Sequence, residues 1–184
     1  MRTTQWQRIV DKYYPADSEL RDIYLRHCKA VATLATDIAV SRHLPLDAAD
    51  IEDAAMLHDI GIFLTSAPGI CCHGTEPYIC HGPLGADLLR REGVSEEIAR
   101  VAERHTGSGI SPAEIAQQGL PLPEGRDYMP RTLLERLVCY ADKFYSKSGD
   151  MKRKSIERAR ASLARISEAS AERFDALHHE FSEN

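Results

Sequence analysis

The chain has no apolar run approaching the about 20 residues that a membrane-spanning helix needs. Its opening residues, 1–14, are charged and polar, unlike a secretory signal. It also lacks a basic excess. Its 23 Lys and Arg face 28 Asp and Glu, a net charge of −5, which argues against an overall surface for a nucleic-acid polymer. Five cysteines (Cys28, Cys71, Cys72, Cys80 and Cys139) are an odd number at irregular spacing. They do not make a disulfide framework and fit reduced thiols in a cytoplasmic protein. Long alternating stretches of β-branched residues are missing, and with them the signal for a sheet. Repeats and low-complexity tracts are missing too. The 184 residues that remain, 43% hydrophobic and 28% charged, are enough for one ordered domain with a sizeable core.

Helical periodicity dominates, so the expected fold is all-α. A short first helix is expected over 4–14, ended by Tyr14-Pro15. A second is expected over 17–42. A third runs over 47–61, with Asp47 as N-cap and Gly61 as its stop. A loop rich in Gly, Pro and Cys follows over 65–80. Two more helices are expected over 81–92 and 95–107, the second capped by Ser95. Ser111-Pro112-Ala113-Glu114 combines a capping box with proline at the first helical position, which opens a short helix. Residues 120–130 hold three prolines and a glycine and read as loop. A long helix over 131–146 and a last amphipathic helix over 150–181 complete the chain. The expected division is a domain over 1–149 and a helical extension over 150–184.

Five of these helices place a polar residue on the apolar face. His27 lines up with Val31, Leu34 and Ile38; His58 with Ile51, Ala54 and Ala55; His81 with Leu84, Gly85 and Leu88; His105 with Ile98, Val101 and Ala102; Asp142 with Leu134, Val138 and Tyr145. A lone polar group in a core costs a few kcal/mol, about 2 or more, and a lone carboxylate costs more. One shared metal centre explains five such placements together. Imidazole and carboxylate suit Fe, Mn, Zn, Co or Ni. Counting Asp59, which directly follows His58, six ligands are too many for one metal with an open catalytic position. They suit two metals, with Asp59 as the natural bridge. Such a pair lowers the pKa of a bridging water and clamps a phosphoryl group. The other histidines, His43, His73, His178 and His179, are given no site role.

At His58-Asp59-Ile60-Gly61 the chain resembles the HD-domain superfamily of metal-dependent phosphohydrolases, in the HDIG form of the doublet. That family's ordered pattern is filled by His27, His58-Asp59, His81, His105 and Asp142, and the resemblance covers about residues 20–146. His81-Gly82 to Gly85-Ala86, His105-Thr106-Gly107 and Ala141-Asp142-Lys143 are most similar to bacterial HD hydrolases that cleave dinucleoside tetraphosphates symmetrically. The resemblance implies an HD-domain helical bundle. It implies one divalent metal on His27, His58, Asp59 and Asp142, and a second on His81, His105 and the bridging Asp59, with Fe or Mn favoured over Zn, Co or Ni. His58 and Asp59 would be the catalytic pair, acting through a metal-bridging hydroxide on a small phosphorylated metabolite, a nucleotide for preference. The same six ligands occur in HD-fold diiron oxygenases, the rival reading. A metal- and nucleotide-binding sensor module without turnover ranks third.

Many HD proteins carry a lysine four residues after the doublet's histidine, where this chain has Ile62. Lys143, Arg104 and Thr106 are the candidate substrate contacts in its place, while Arg131 reads as surface charge. Arg126 and Tyr128 are offered by position as a second wall. Cys71, Cys72, His73 and Cys80 match no common zinc spacing and read as structural loop. The last helix carries six basic and two acidic residues over 150–165, then one basic and five acidic over 166–184. This order opposes the helix dipole, and antiparallel pairing with a second copy would match base to acid. A homodimer through this segment and packing on its own domain are equally expected.

Overall fold

The computed structural model describes residues 4–182. Among them are nine α-helices and one two-stranded antiparallel ribbon, so the fold is all-α. α1 (Gln5–Tyr13), α2 (Glu19–Ser41) and α3 (Ala48–Leu57) come first. The ribbon follows, with β1 (Ser66–Ala67) paired to β2 (Cys72–His73) in the register Ser66 to His73 and Ala67 to Cys72. This is the region expected to be plain loop. α4 (His81–Arg91), α5 (Glu96–Arg104), α6 (Pro112–Gln118) and α7 (Leu133–Asp142) build the rest of the bundle, and α8 (Ile156–Ala164) and α9 (Glu168–Phe181) close the chain.

α2 packs on both α3 and α7, and α5 on α3, α4 and α7. Val31 and Leu34 of α2, Ala54 and Ala55 of α3, Val101 and Ala102 of α5, and Leu137 and Val138 of α7 meet in the shared core. All of these but Leu137 are apolar partners that the sequence lined up with the histidines and Asp142. Asp47 and Ser95 cap as expected, accepting from the backbone N–H of Ala49 and Ile98. The capping box Ser111/Glu114 also forms.

Gly61 has a different role from the expected one. α3 ends at Leu57, and Gly61 has φ of −83°, so it is no left-handed cap. A Cβ there would lie 2.3 Å from the His81 carbonyl oxygen and 2.5 Å from the Gly85 nitrogen. Gly61 therefore lets the chain after the His-Asp doublet touch the backbone of α4. Gly61→Ala is expected to cost about 3 kcal/mol, the upper end for overpacking, because backbone cannot yield as a side chain can. Urea denaturation reads this directly, and a loss under ~1 kcal/mol would contradict the packing argument.

The single helix expected over 150–181 is two helices. α8 ends at Ala164, and Ser167 caps α9 by accepting from the Ser170 N–H. The two form a hairpin in which Arg160 pairs with Glu168 at 2.7 Å and Asp175 at 2.8 Å. The basic first half thus meets the acidic second half within one chain. Phe174 and Phe181 of α9 pack on Tyr140 of α7, and Phe174 also on Phe144 just beyond α7. Arg173 fastens it further, donating to the carbonyls of Ser108 and Gly109 and to Glu114. Burial works against the Glu114 charge, but Ser167 and Arg173 donate to it and bring its pKa down to about 2.

Candidate metal centre

Six polar side chains close on one point inside the bundle. His27 projects from the middle of α2 and is fully buried. The other five sit at helix ends rather than on helix faces. α3 stops at Leu57, and the chain tightens through i to i+3 hydrogen bonds from Ile60 N–H to the Leu57 carbonyl and from Ile62 N–H to the Asp59 carbonyl. In a regular helix neighbouring residues diverge by about 100°. The tightened turn instead lets both His58 and Asp59 reach the same centre. His81 opens α4, His105 caps the end of α5, and Asp142 is the last residue of α7.

Three of the histidines are anchored through Nδ1 to a backbone carbonyl one turn back. The Nδ1 of His58, His81 and His105 lies 2.7, 2.6 and 2.8 Å from the carbonyl oxygen three residues earlier, of Ala55, Tyr78 and Ala102. A carbonyl can only accept, so each Nδ1 carries a proton. Each Nε2 then keeps its lone pair and faces the centre, the orientation that metal-binding histidines take.

Asp59 divides the site. Its Oδ2 lies 3.1 Å from His27 Nε2 and 3.2 Å from His58 Nε2. Its Oδ1 lies 3.4 Å from His81 Nε2 and 3.3 Å from His105 Nε2. Asp142 Oδ1 is 3.0 Å from His27 Nε2 and 3.5 Å from His58 Nε2. Two sets result, His27, His58, Asp59 and Asp142, and Asp59, His81 and His105, with the donor atoms in each within 4.8 Å of one another. One carboxylate serves both, with one oxygen turned to each.

These residues fit metal ions. Ligands about 2.1 Å from a common cation stand roughly 3.0–3.4 Å apart, close to the spacing seen here. The Nε2 atoms of His81 and His105 face each other at 3.0 Å. With both Nδ1 protonated, two lone pairs meet, which is repulsive without a cation. Burial, reinforced by His105, lowers His81 to about 3, and burial also lowers His105, which works against either imidazole taking up a proton. Neither Asp59 Oδ1 nor His27 Nδ1 has a hydrogen-bond partner. Buried polar atoms are rarely left so, and bound ions are one common reason. The donor set can therefore hold divalent metals.

A residue absent from the sequence-level site joins it. Lys147 Nζ lies 2.6 Å from Asp59 Oδ2, and its side chain is only 13% exposed. Burial opposes the Lys147 charge, but Asp59 overrides it and raises its pKa well above the ordinary lysine value. In turn, burial opposes the Asp59 charge, and the Lys147 ammonium holds that carboxyl well below the usual range. The available signal was the four-residue spacing from Lys143. It is a weak one, because α7 ends at Asp142 and tight turns carry Lys147 back to the centre.

Of the candidate substrate contacts, Lys143 is at the site, 2.6 Å from Asp142 Oδ2 and 3.0 Å from the His105 carbonyl. Arg104 is not. Its guanidinium is spent on the buried Glu135 at 3.1 Å and on the Asp127 carbonyl. Thr106 lines a separate cavity of about 70 Å³ with Ile79, Ile110 and Ile166. Arg126 pairs with Asp87 and Glu103, and the Tyr128 hydroxyl donates to the Pro123 carbonyl, so neither forms a wall here. Arg131 pairs on the surface with Asp127. Ile62 is fully buried in the core, so its position offers no place for a lysine head. Among the described residues, Cys71, Cys72, His73 and Cys80 form no metal-ligand group.

A pocket of about 490 Å³ opens beside the centre. Asp142, Lys143, Lys147 and Lys154 line it together with Ile70, Tyr78, Leu163 and Ile166, and Lys147 Nζ stands 6.0 Å from the centre of the Tyr78 ring. Among the described residues no helix is long and apolar enough to cross a membrane.

The family model of the HD domain matches residues 24–146. An uncharacterized protein of Methanocaldococcus jannaschii is 37% identical over 121 residues, 64% of this chain and 63% of the relative. A tRNA (cytidine(56)-2'-O)-methyltransferase of Thermoplasma volcanium is 33% identical over 157 residues, 85% of this chain and 41% of the relative. The corresponding enzyme of Picrophilus torridus is 34% identical over 125 residues, 68% of this chain and 32% of the relative. The chain thus spans less than two thirds of the length of each of these relatives. No solved structure matches it. All six clustered residues fall within the matched segment, and the chain belongs to the HD domain family.

Proposed function

We propose that the chain is a dinuclear metal-dependent phosphohydrolase acting on a small phosphorylated metabolite, a nucleotide for preference. The observation that carries the reading is the split of Asp59, one oxygen toward each ligand set, beside a pocket lined by lysines. His27, His58, Asp59 and Asp142 would hold one ion and Asp59, His81 and His105 the other. A bound pair of this kind supplies an activated water and polarises the phosphoryl oxygens.

The protein's own part is positioning. The three carbonyl-anchored imidazoles hold their Nε2 atoms in place before any ion arrives. Lys143 and Lys147 flank Asp142 and Asp59 on the pocket side, where an ammonium can bind and orient a phosphoryl group through charge-assisted hydrogen bonds. This answers the loss of a lysine at Ile62 and favours phosphate chemistry over an oxygenase. The net charge of −5 and the pocket of about 490 Å³ favour a small substrate over a polymer. The methyltransferase names belong to relatives more than twice as long as the matched segment, and methyl transfer is not the chemistry of these ligands.

The test is turnover. Protein loaded with Mn or Fe is expected to hydrolyse a phosphoester or phosphoanhydride bond in at least one compound of a panel of nucleotides, dinucleotides and sugar phosphates, read as phosphate release or as nucleotide products separated by chromatography. The His58→Ala variant is expected to hydrolyse none. Silence across the panel, or turnover that consumes oxygen and hydrolyses no phosphoester or phosphoanhydride bond, would overturn the proposal. A mixed-valence diiron EPR signal accompanying oxygen uptake would point to the oxygenase instead.

A further inference from the structure

The matched HD domain ends at residue 146, yet the pocket does not. Lys147, Lys154, Leu163 and Ile166 belong to the segment that follows, and all four line it. Two features of that segment are unexplained by the metal ligands. One is a third lysine. The Lys154 N–H donates to the Phe144 carbonyl at 2.8 Å, which folds the linker back and brings this side chain to Lys143 and Lys147. Among the described residues Lys154 has no carboxylate within ion-pair distance. Half-burial lowers its pKa, opposed by Asp142 and reinforced by the two neighbouring lysines. The other feature is Ile166, which is 61% exposed at the turn between α8 and α9 and forms part of the pocket wall.

Gathering three ammonium groups costs energy unless an anion joins them. Lys143 and Lys147 each lean on a carboxylate of the metal-ligand sets. Cations on those sets would take up that negative charge and leave all three lysines to another anion. The apolar side chains of the lining, Ile70, Leu163 and Ile166, offer nothing to a bare phosphate but would, with the ring of Tyr78, cover a flat apolar group.

We infer that residues 147–166 are the specificity element of this protein, selecting a phosphomonoester with a flat apolar body of nucleobase size. The phosphate lies on Lys143, Lys147 and Lys154, and the body packs between Ile70 and Tyr78 on one side and Leu163 and Ile166 on the other. This rests on the phosphohydrolase reading for the place of the phosphate, but the selection is a property of binding and is measured without turnover.

Isothermal titration calorimetry on the metal-loaded full chain tests it, with three probes: inorganic phosphate, adenosine, and the methylenephosphonate analogue of adenosine 5′-monophosphate, which cannot be hydrolysed. The analogue is expected to bind at least about tenfold more tightly than either part alone. Lys154→Ala is expected to weaken both the analogue and phosphate by about tenfold, the size of one charged hydrogen bond, and Lys154→Arg to restore them. Ile166→Ser, at an exposed site that leaves the core intact, is expected to weaken the analogue about fivefold and phosphate not at all. Equal affinity for analogue and phosphate, or variants that leave both unchanged, would overturn the inference. Phosphate release in the panel above together with unchanged binding in these variants would sink this inference and leave the hydrolase standing. The binding pattern without phosphate release would do the reverse.

Discussion

The Asp59→Ala variant is expected to lose metal from both ligand sets and to lower kcat/KM by at least ~100-fold, the loss that removing even an outer partner of a metal ligand can produce. The reason is its double service. Oδ2 faces His27 and His58 while Oδ1 faces His81 and His105, so one substitution takes a donor from each set. No other residue in the cluster does this. Asp59→Asn separates the two roles, since an amide keeps the volume but only one ligating oxygen, and metal content is expected to fall to one ion per chain or fewer. Metal analysis of the purified proteins decides the matter, and two ions retained in Asp59→Ala would refute the bridge. Loss of fold must be kept apart from loss of metal. Asp59→Ala leaves the Lys147 ammonium without its partner, and breaking one side of a buried pair costs about 3–5 kcal/mol. Adding Lys147→Met removes the stranded charge. The double variant is expected to regain stability and to remain inactive.

Stripping the protein of metal is expected to lower its Tm by several degrees. The donor set is already assembled, so an ion binds the folded chain and not the unfolded one. At a hundredfold excess over Kd, one site adds about 2.7 kcal/mol. For a domain of this size each kcal/mol moves Tm by about 2–4 °C, so one filled site is worth roughly 5–11 °C. The local cause is the pair His81 and His105, whose lone pairs face at 3.0 Å while their Nδ1 protons are held by the carbonyls of Tyr78 and Ala102. Differential scanning calorimetry of chelator-treated protein, with and without added Mn, Fe, Co or Zn, reads the shift. A change below ~1 °C with every ion would contradict a preformed site.

Five of the six clustered side chains were legible in the sequence because each continues the apolar spacing of the helix it belongs to or adjoins, although only His27 stands within a helix rather than at its end. His27 with Val31 and Leu34, or His105 with Val101 and Ala102, can be read from spacing alone. The faces all bury toward one core, so the residues on them meet. The Asp47, Ser95 and Ser111 caps were legible for a similar reason: a cap is decided within a few residues by whether a side chain can reach a free N–H.

What failed to show was whatever depends on distant partners. Arg104 had the right charge and place, but Glu135, 31 residues further on, claims it. The stretch 150–181 kept an apolar period throughout, with no proline or glycine after Gly149, so nothing in it announced the break before Ser167. Pairing of Arg160 with Asp175 and packing of α9 on α7 decide that break.

Sequence by itself thus determined the all-α class and named the six side chains that the fold brings together, five from local periodicity and a common core and Asp59 from its place beside His58. Only the tertiary structure decided that Asp59 divides its oxygens between two sets, that Gly61 is needed for backbone contact with α4, and that Lys147 and Lys154 come back to the pocket. Those facts lie in distances between segments far apart along the chain, and the tight turns and helix ends that set such distances leave no periodic trace.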